Sequence, residues 1–250
     1  MRRSFADHID FCLEEIADFE GGISTQASDN PPAQISLFSY LRRFRFELAL
    51  LRWRQGEIAA SVSEFEKCLE TYEIQKELAK SSSKALVEFE RTYRDQIAFV
   101  YYAALFTGRE VSKLVPGIDF IKRDATTLDG MDSLMSEALL FEDEVDWGAV
   151  IRDMRRAAND VYTKHYAFYA DLLQKKKVVA ADLEKHLTLF LERKTHSGFE
   201  EAHLMGGGEY NEYIPDYRLA AILMRYAPDA EGPHAWKRSG VNKLGLTHSL

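Results

Sequence analysis

Apolar residues recur along this chain at steps of three and four, and no segment alternates in the two-residue rhythm of a strand. Phe5, Ile9, Leu13, Ile16 and Phe19 form one stripe, which predicts an amphipathic first helix ending at Gly21-Gly22. The polar run TQASDNPPAQ, with Pro31-Pro32, reads as a loop. A second helix is expected from Ser36 to Gln55, with Leu37, Leu41, Phe44, Leu48 and Leu51 on one side and Gly56 breaking it. The third starts near Glu57 and sends Ile58, Val62, Phe65, Leu69, Tyr72 and Ile74 toward a core. From Lys84 to Phe106 runs a fourth, apolar nearly all round beyond Ile97, which predicts a buried central helix. A short fifth helix ends at Pro116-Gly117, and shorter helical pieces run on to Leu140. One long helix is then expected from Trp147 to Gln174, followed by Ala181 to Glu192 and Pro215 to Tyr226.

In the stretch RWRQGEIAASVSEFEKCLETYEIQKE, residues 52–77, a turn glycine precedes Ser61, Phe65, Cys68 and Leu69. This small, aromatic, small-large series resembles the second helix of a tetratricopeptide repeat, where small residues let a paired helix approach closely. A second turn glycine, Gly108 in ALFTGREVSKLV, follows 52 residues later, whereas true repeats of that family recur every 34 or so, roughly. The expected class is therefore all-α: irregular antiparallel helix pairs, TPR-like hairpins packed around a buried central helix. Residues 1–232 read as a single all-helical domain, divisible into subdomains 1–125 and 126–232, and residues 233–250 as a loosely tied tail.

Composition supports this picture. Of 250 residues, 46% are hydrophobic and 29% charged, enough for a core and too apolar for disorder. Only 14 glycines and 6 prolines punctuate the chain, favouring long helices. The net charge of −8 disfavours nucleic acid and favours a basic protein partner. Cys12 and Cys68, the only two cysteines, exclude a disulfide framework and point to a reducing compartment. The N-terminus begins basic, but Asp7, Asp10, Glu14 and Glu15 stand where a signal peptide needs an apolar stretch. No run approaches the ~18 apolar residues of a membrane span. The expected location is cytoplasmic, without membrane attachment.

Candidate chemistry is sparse. His186, His196 and His203 lie near Glu192, Glu200 and Glu201, without an HExxH or Glu-x-x-His pattern, so no metal is assigned. Gly206–Gly208 lacks the Lys-Ser/Thr of a phosphate loop, and no GxSxG is present. The chain is read as not an enzyme, with no catalytic residues and no cofactor. Arg42, Arg43, Arg45, Arg52 and Arg54, around Trp53, could meet phosphates, but nearby glutamates make internal ion pairs the simpler account. Tyr162, Tyr166 and Tyr169 recur at helical spacing and read as core. The segment DATTLDGMDSLMSEALLFEDEVD, Asp124 to Asp146, holds eight acids and no lysine or arginine. A solvated face is the plain reading. The functional one is a docking patch for a basic partner, formed by Glu137, Glu142, Asp143, Glu144 and Asp146, with Trp147 as an aromatic anchor.

The helical order then carries a resemblance over most of the chain. FADHIDFCLEEIADFE, ELALLRWRQGE, IAFVYYAALFTGRE, YADLLQKKK, LEKHLTLFLE and YIPDYRLAAILMRYAPD are laid out as in the all-helical immunity proteins of bacterial polymorphic and type VI secretion toxin systems. The PoNi-type family, which neutralises DNase toxins, is the one it resembles. The chain departs from that family at Asp216, Tyr217 and Arg218, where an aromatic-Trp-x-x-Glu pattern precedes the paired alanines. The resemblance implies a stoichiometric inhibitor of a cognate secreted toxin, a basic protein such as a nuclease. The alternatives are a helical-repeat adaptor for an unrelated peptide or protein, and a metal-dependent helical enzyme using His186, His196 and His203.

Overall fold

The computed structural model describes residues 5–25, 29–109, 128–141, 145–157, 160–179, 181–182, 185 and 217–226. Among these the chain is all-helical, with no strand. The elements are α1 (Phe5–Thr25), α2 (Pro31–Gln55), α3 (Ile58–Ala79), α4 (Ser83–Thr107), α5 (Leu128–Phe141), α6 (Trp147–Ala157), α7 (Asp160–Lys175) and α8 (Tyr217–Tyr226). No helix among the described residues is long and apolar enough to cross a membrane.

The ends of these helices follow local chemistry. Asn30 caps α2, its side chain accepting from the Ala33 amide at 3.3 Å, and Pro31-Pro32 form the first turn, where their missing N–H groups are not needed. The expected loop at this place is therefore shorter, and its prolines open the helix. Ser82 caps α4 by accepting from the Ala85 amide at 3.1 Å. Gly56 and Gly108 close α2 and α4 with φ of 84° and 67°. Nothing lies within 4 Å of a Cβ added at Gly56, so Gly56→Ala carries backbone strain alone. Its expected cost is about 1–2 kcal/mol, read as a lower urea midpoint at unchanged slope.

Gly21 and Gly22 do not end α1, which continues to Thr25. The Ser24 and Thr25 hydroxyls donate to the Gly21 carbonyl, at 3.0 and 2.6 Å, and Ile23 packs against the core. A second correction concerns the face that α1 buries. His8, Cys12 and Ile16 are buried, while Leu13 is 41% exposed. Ile74 of α3 likewise points outward.

α2 and α3 pack antiparallel in a register fixed by three side-chain hydrogen bonds. The Ser61 hydroxyl donates to the Ala49 carbonyl (2.7 Å), the Cys68 thiol to that of Arg42 (3.5 Å) and the Gln75 amide to that of Ile35 (2.7 Å). These contacts are spaced seven apart on both helices, running in opposite directions, so the same faces meet every two turns. Small side chains at 61 and 68 allow the close approach. The second half of α4 is buried as expected, from Ile97 to Ala104. α2 is as deeply buried, touching α1, α3 and α4, and its core includes Arg42, Arg45 and Glu47. Phe46 is where the bundle converges, with ring centroids 5.4 Å from Phe65, 4.9 Å from Phe99 and 5.4 Å from Tyr217.

The long helix expected from Trp147 to Gln174 is instead a hairpin. Trp147 and Arg152 of α6 line one cleft together with Ala170 and Gln174 of α7, so the two helices run antiparallel. One continuous helix would separate the ends of that span by about 40 Å, at 1.5 Å per residue. The hydrophobic stripe continues from one helix to the next, which is why periodicity alone joined them.

Candidate functional site

The acid-rich segment expected to meet a partner is divided by the fold. Asp132, in the middle of α5, is almost wholly buried and accepts from Arg218 of α8 in a two-pronged pair, Nε to Oδ1 and Nη2 to Oδ2, both at 2.6 Å. The Tyr166 hydroxyl of α7 donates to Oδ1 and that of Tyr217 to Oδ2, each at 3.2 Å. The guanidinium also lies over the Tyr217 ring, 4.6 Å from its centroid. One carboxylate thus satisfies donors from α7 and α8 at once. Burial pushes the Tyr217 hydroxyl well up, so it stays a donor. Burial also opposes charge on Arg218, but Asp132, Tyr166 and Tyr217 hold its pKa well above the usual value. Asp132 and Arg218 belong to the core, and sequence reading placed the first on the surface.

Of the residues expected to bind a partner, Glu137 is half-buried on α5. Glu142, Asp143 and Glu144 lie outside the described residues. Asp146 is exposed and caps α6, its Oδ1 accepting from the Ala149 amide at 2.9 Å. Trp147 is 6% exposed and packed in the core, so it lacks the open ring face of a protruding anchor. The reason is its position at N1 of α6, directly after the cap, where the helix starts against α7.

Of the arginines of α2, Arg42 and Arg45 are buried, Arg43 and Arg52 are half-buried and Arg54 is exposed. Arg42 donates to Gln75 and lies over the Tyr72 ring at 5.8 Å. Arg45 pairs with Glu64 at 3.0 Å and with Glu20, and Arg52 with Glu57 at 3.0 Å. Trp53 is buried. Tyr166 and Tyr169 are core residues as expected, and the side chain of Tyr162 lies outside the described set. So do His186, His196, His203 and Gly206–Gly208.

Two features were not anticipated. The α6–α7 cleft, about 330 Å³, is edged by Arg152, Arg155 and Asp171 over an apolar floor that includes Trp147 and Ile151. At the α1–α2 interface, His8 Nε2 lies 2.5 Å from Glu47 Oε1, with Cys12 beside them, all three buried. The four-residue spacing of His8 and Cys12 was the available signal, since it puts both on one helix face.

Together these features define an all-α protein whose described charged interior is organised as ion pairs and hydrogen bonds between helices. No family model matches the sequence, and neither a curated protein nor a solved structure matches it.

Proposed function

We propose that this protein is an immunity protein that binds a cognate secreted toxin and neutralises it by one-to-one protein–protein inhibition. The observation that carries this reading is the fate of the charges. Arg45 and Arg218, cations that a phosphate-bearing ligand would require at the surface, are drawn into buried ion pairs, and Arg42 is buried against Gln75 and the Tyr72 ring. The chain keeps a net charge of −8, and its densest run of acids, Glu142-Asp143-Glu144, leads into the exposed Asp146. Such a run complements a basic toxin surface such as the DNA groove of a nuclease, where opposite charges speed encounter and fix register. The helical layout that resembles PoNi-type immunity proteins supports the same reading.

Co-expression with the product of the neighbouring gene tests it: rescue from toxicity and a co-purifying complex are expected. Reversing Glu142, Asp143, Glu144 and Asp146 to lysine should weaken toxin binding about 100-fold or more, measured by calorimetry. Asp146→Asn keeps a capping side chain while removing the charge, and so separates docking from helix stability. Unchanged affinity in the reversed variant removes this segment from the interface. A second reading, a helical adaptor, is favoured by the α6–α7 cleft, which could seat an extended peptide. In that case Arg152→Glu with Arg155→Glu, rather than the acid reversals, abolishes binding.

A further inference from the structure

His8 and Cys12 stand one turn apart on the buried face of α1, and Glu47 meets them from the middle of α2. Their donor atoms, an imidazole nitrogen, a thiol sulfur and a carboxylate oxygen, all lie within 4.8 Å of one another. We propose that these three side chains form a binding site for a divalent transition-metal ion, zinc by the chemistry of the donors, that fastens α1 to α2.

Four features support this. First, the spacing suits an ion: tetrahedral zinc holds nitrogen and oxygen at about 2.0–2.2 Å and sulfur at about 2.3 Å, which puts neighbouring ligand atoms roughly 3.5 Å apart. The three donors lie within 4.8 Å of one another, and the His8–Glu47 contact at 2.5 Å needs to open by about 1 Å to admit the ion. Second, the Glu47 Oε2 atom is buried and has no hydrogen-bond partner among the described residues. A hydrogen bond between His8 and Glu47 accounts for one carboxylate oxygen and leaves the other, and the adjacent thiol, unexplained; a cation engages both. Third, charge closes. A doubly positive ion facing one carboxylate and one thiolate makes a neutral site, which is what a fully buried position requires. Fourth, a mixed nitrogen, sulfur and oxygen set disfavours magnesium and calcium, which prefer oxygen alone.

Burial, with Glu47 and Glu15 nearby, holds the Cys12 thiol protonated in the absence of a cation. Binding therefore releases the thiol proton to solvent, and the thiolate becomes the ligand. Three protein donors leave a fourth position for water. The role is structural and independent of the toxin-binding reading, so either can fail alone.

The test uses the full chain without a histidine tag, stripped with a chelator and titrated with Zn²⁺ and then Co²⁺. One ion should bind per chain, raise the thermal midpoint, and with cobalt give a thiolate-to-metal charge-transfer band. The chain has only two cysteines, so a band that survives Cys68→Ala belongs to Cys12 without any change at the site. Glu47→Gln, which keeps shape and one acceptor, should weaken uptake at least about tenfold. A wild-type chain that takes up no stoichiometric ion, or whose cobalt form lacks the thiolate band, overturns the proposal. So does a band that persists in Cys12→Ala.

Discussion

Replacing Arg218 with alanine is expected to destabilise the protein by about 3–5 kcal/mol, because it leaves the Asp132 carboxylate buried without a cation. Tyr166 and Tyr217 would still donate to that carboxylate, but two neutral hydroxyls cannot replace a charge-assisted two-pronged pair at 2.6 Å. Asp132→Ala should cost a similar amount, since it strands the guanidinium between the two tyrosine rings. Changing both together, Asp132→Leu with Arg218→Met, is expected to recover most of the loss, because neither charge is then left in the interior. Urea unfolding of the wild type, Asp132→Leu, Arg218→Met and the double variant forms a complete cycle for the pair. A loss below about 1 kcal/mol for Arg218→Ala would place the pair in the class of solvated surface bridges and would contradict its burial.

Phe46→Ala should be comparably severe, again about 3–5 kcal/mol, for a different reason. The ring is fully buried where α2 meets α3, α4 and α8, and its neighbours Phe65, Phe99 and Tyr217 belong to three different helices. No one of these helices can move to fill the space without leaving its other contacts, so the cavity persists. Leu13→Ala on α1 provides the internal comparison: its side chain is 41% exposed, and a change within about 0.5 kcal/mol is expected. Equal losses at the two positions would mean that the core does not converge on Phe46.

The helical class, the glycine turns at 56 and 108 and the buried half of α4 were legible from the sequence, because each is set by local physics. A left-handed turn needs glycine, and a helix without a polar face must be covered. The faces of α1 were less legible. An apolar stripe selected Leu13 for the core, whereas the buried line is His8, Cys12 and Ile16, because polar donors can be buried when a partner such as Glu47 stands opposite. The same limit applies to the acid-rich segment. A segment holding eight acids gives no sign that Asp132 turns inward, since its partner Arg218 is 86 residues away in the chain.

By itself, then, the sequence determined that this is a helical protein, roughly where its helices lie and which turns join α2 to α3 and terminate α4. Periodicity and turn chemistry act over a few residues, and those are the distances on which a single chain can be read directly. Only the tertiary structure decided that α6 and α7 fold back on one another, that Trp147 is a core residue, and which charges are paired inside. Those outcomes depend on which groups from distant segments meet once water is excluded. Burial there makes an unmatched charge costly and a matched one tolerable, and spacing along the chain does not encode the match.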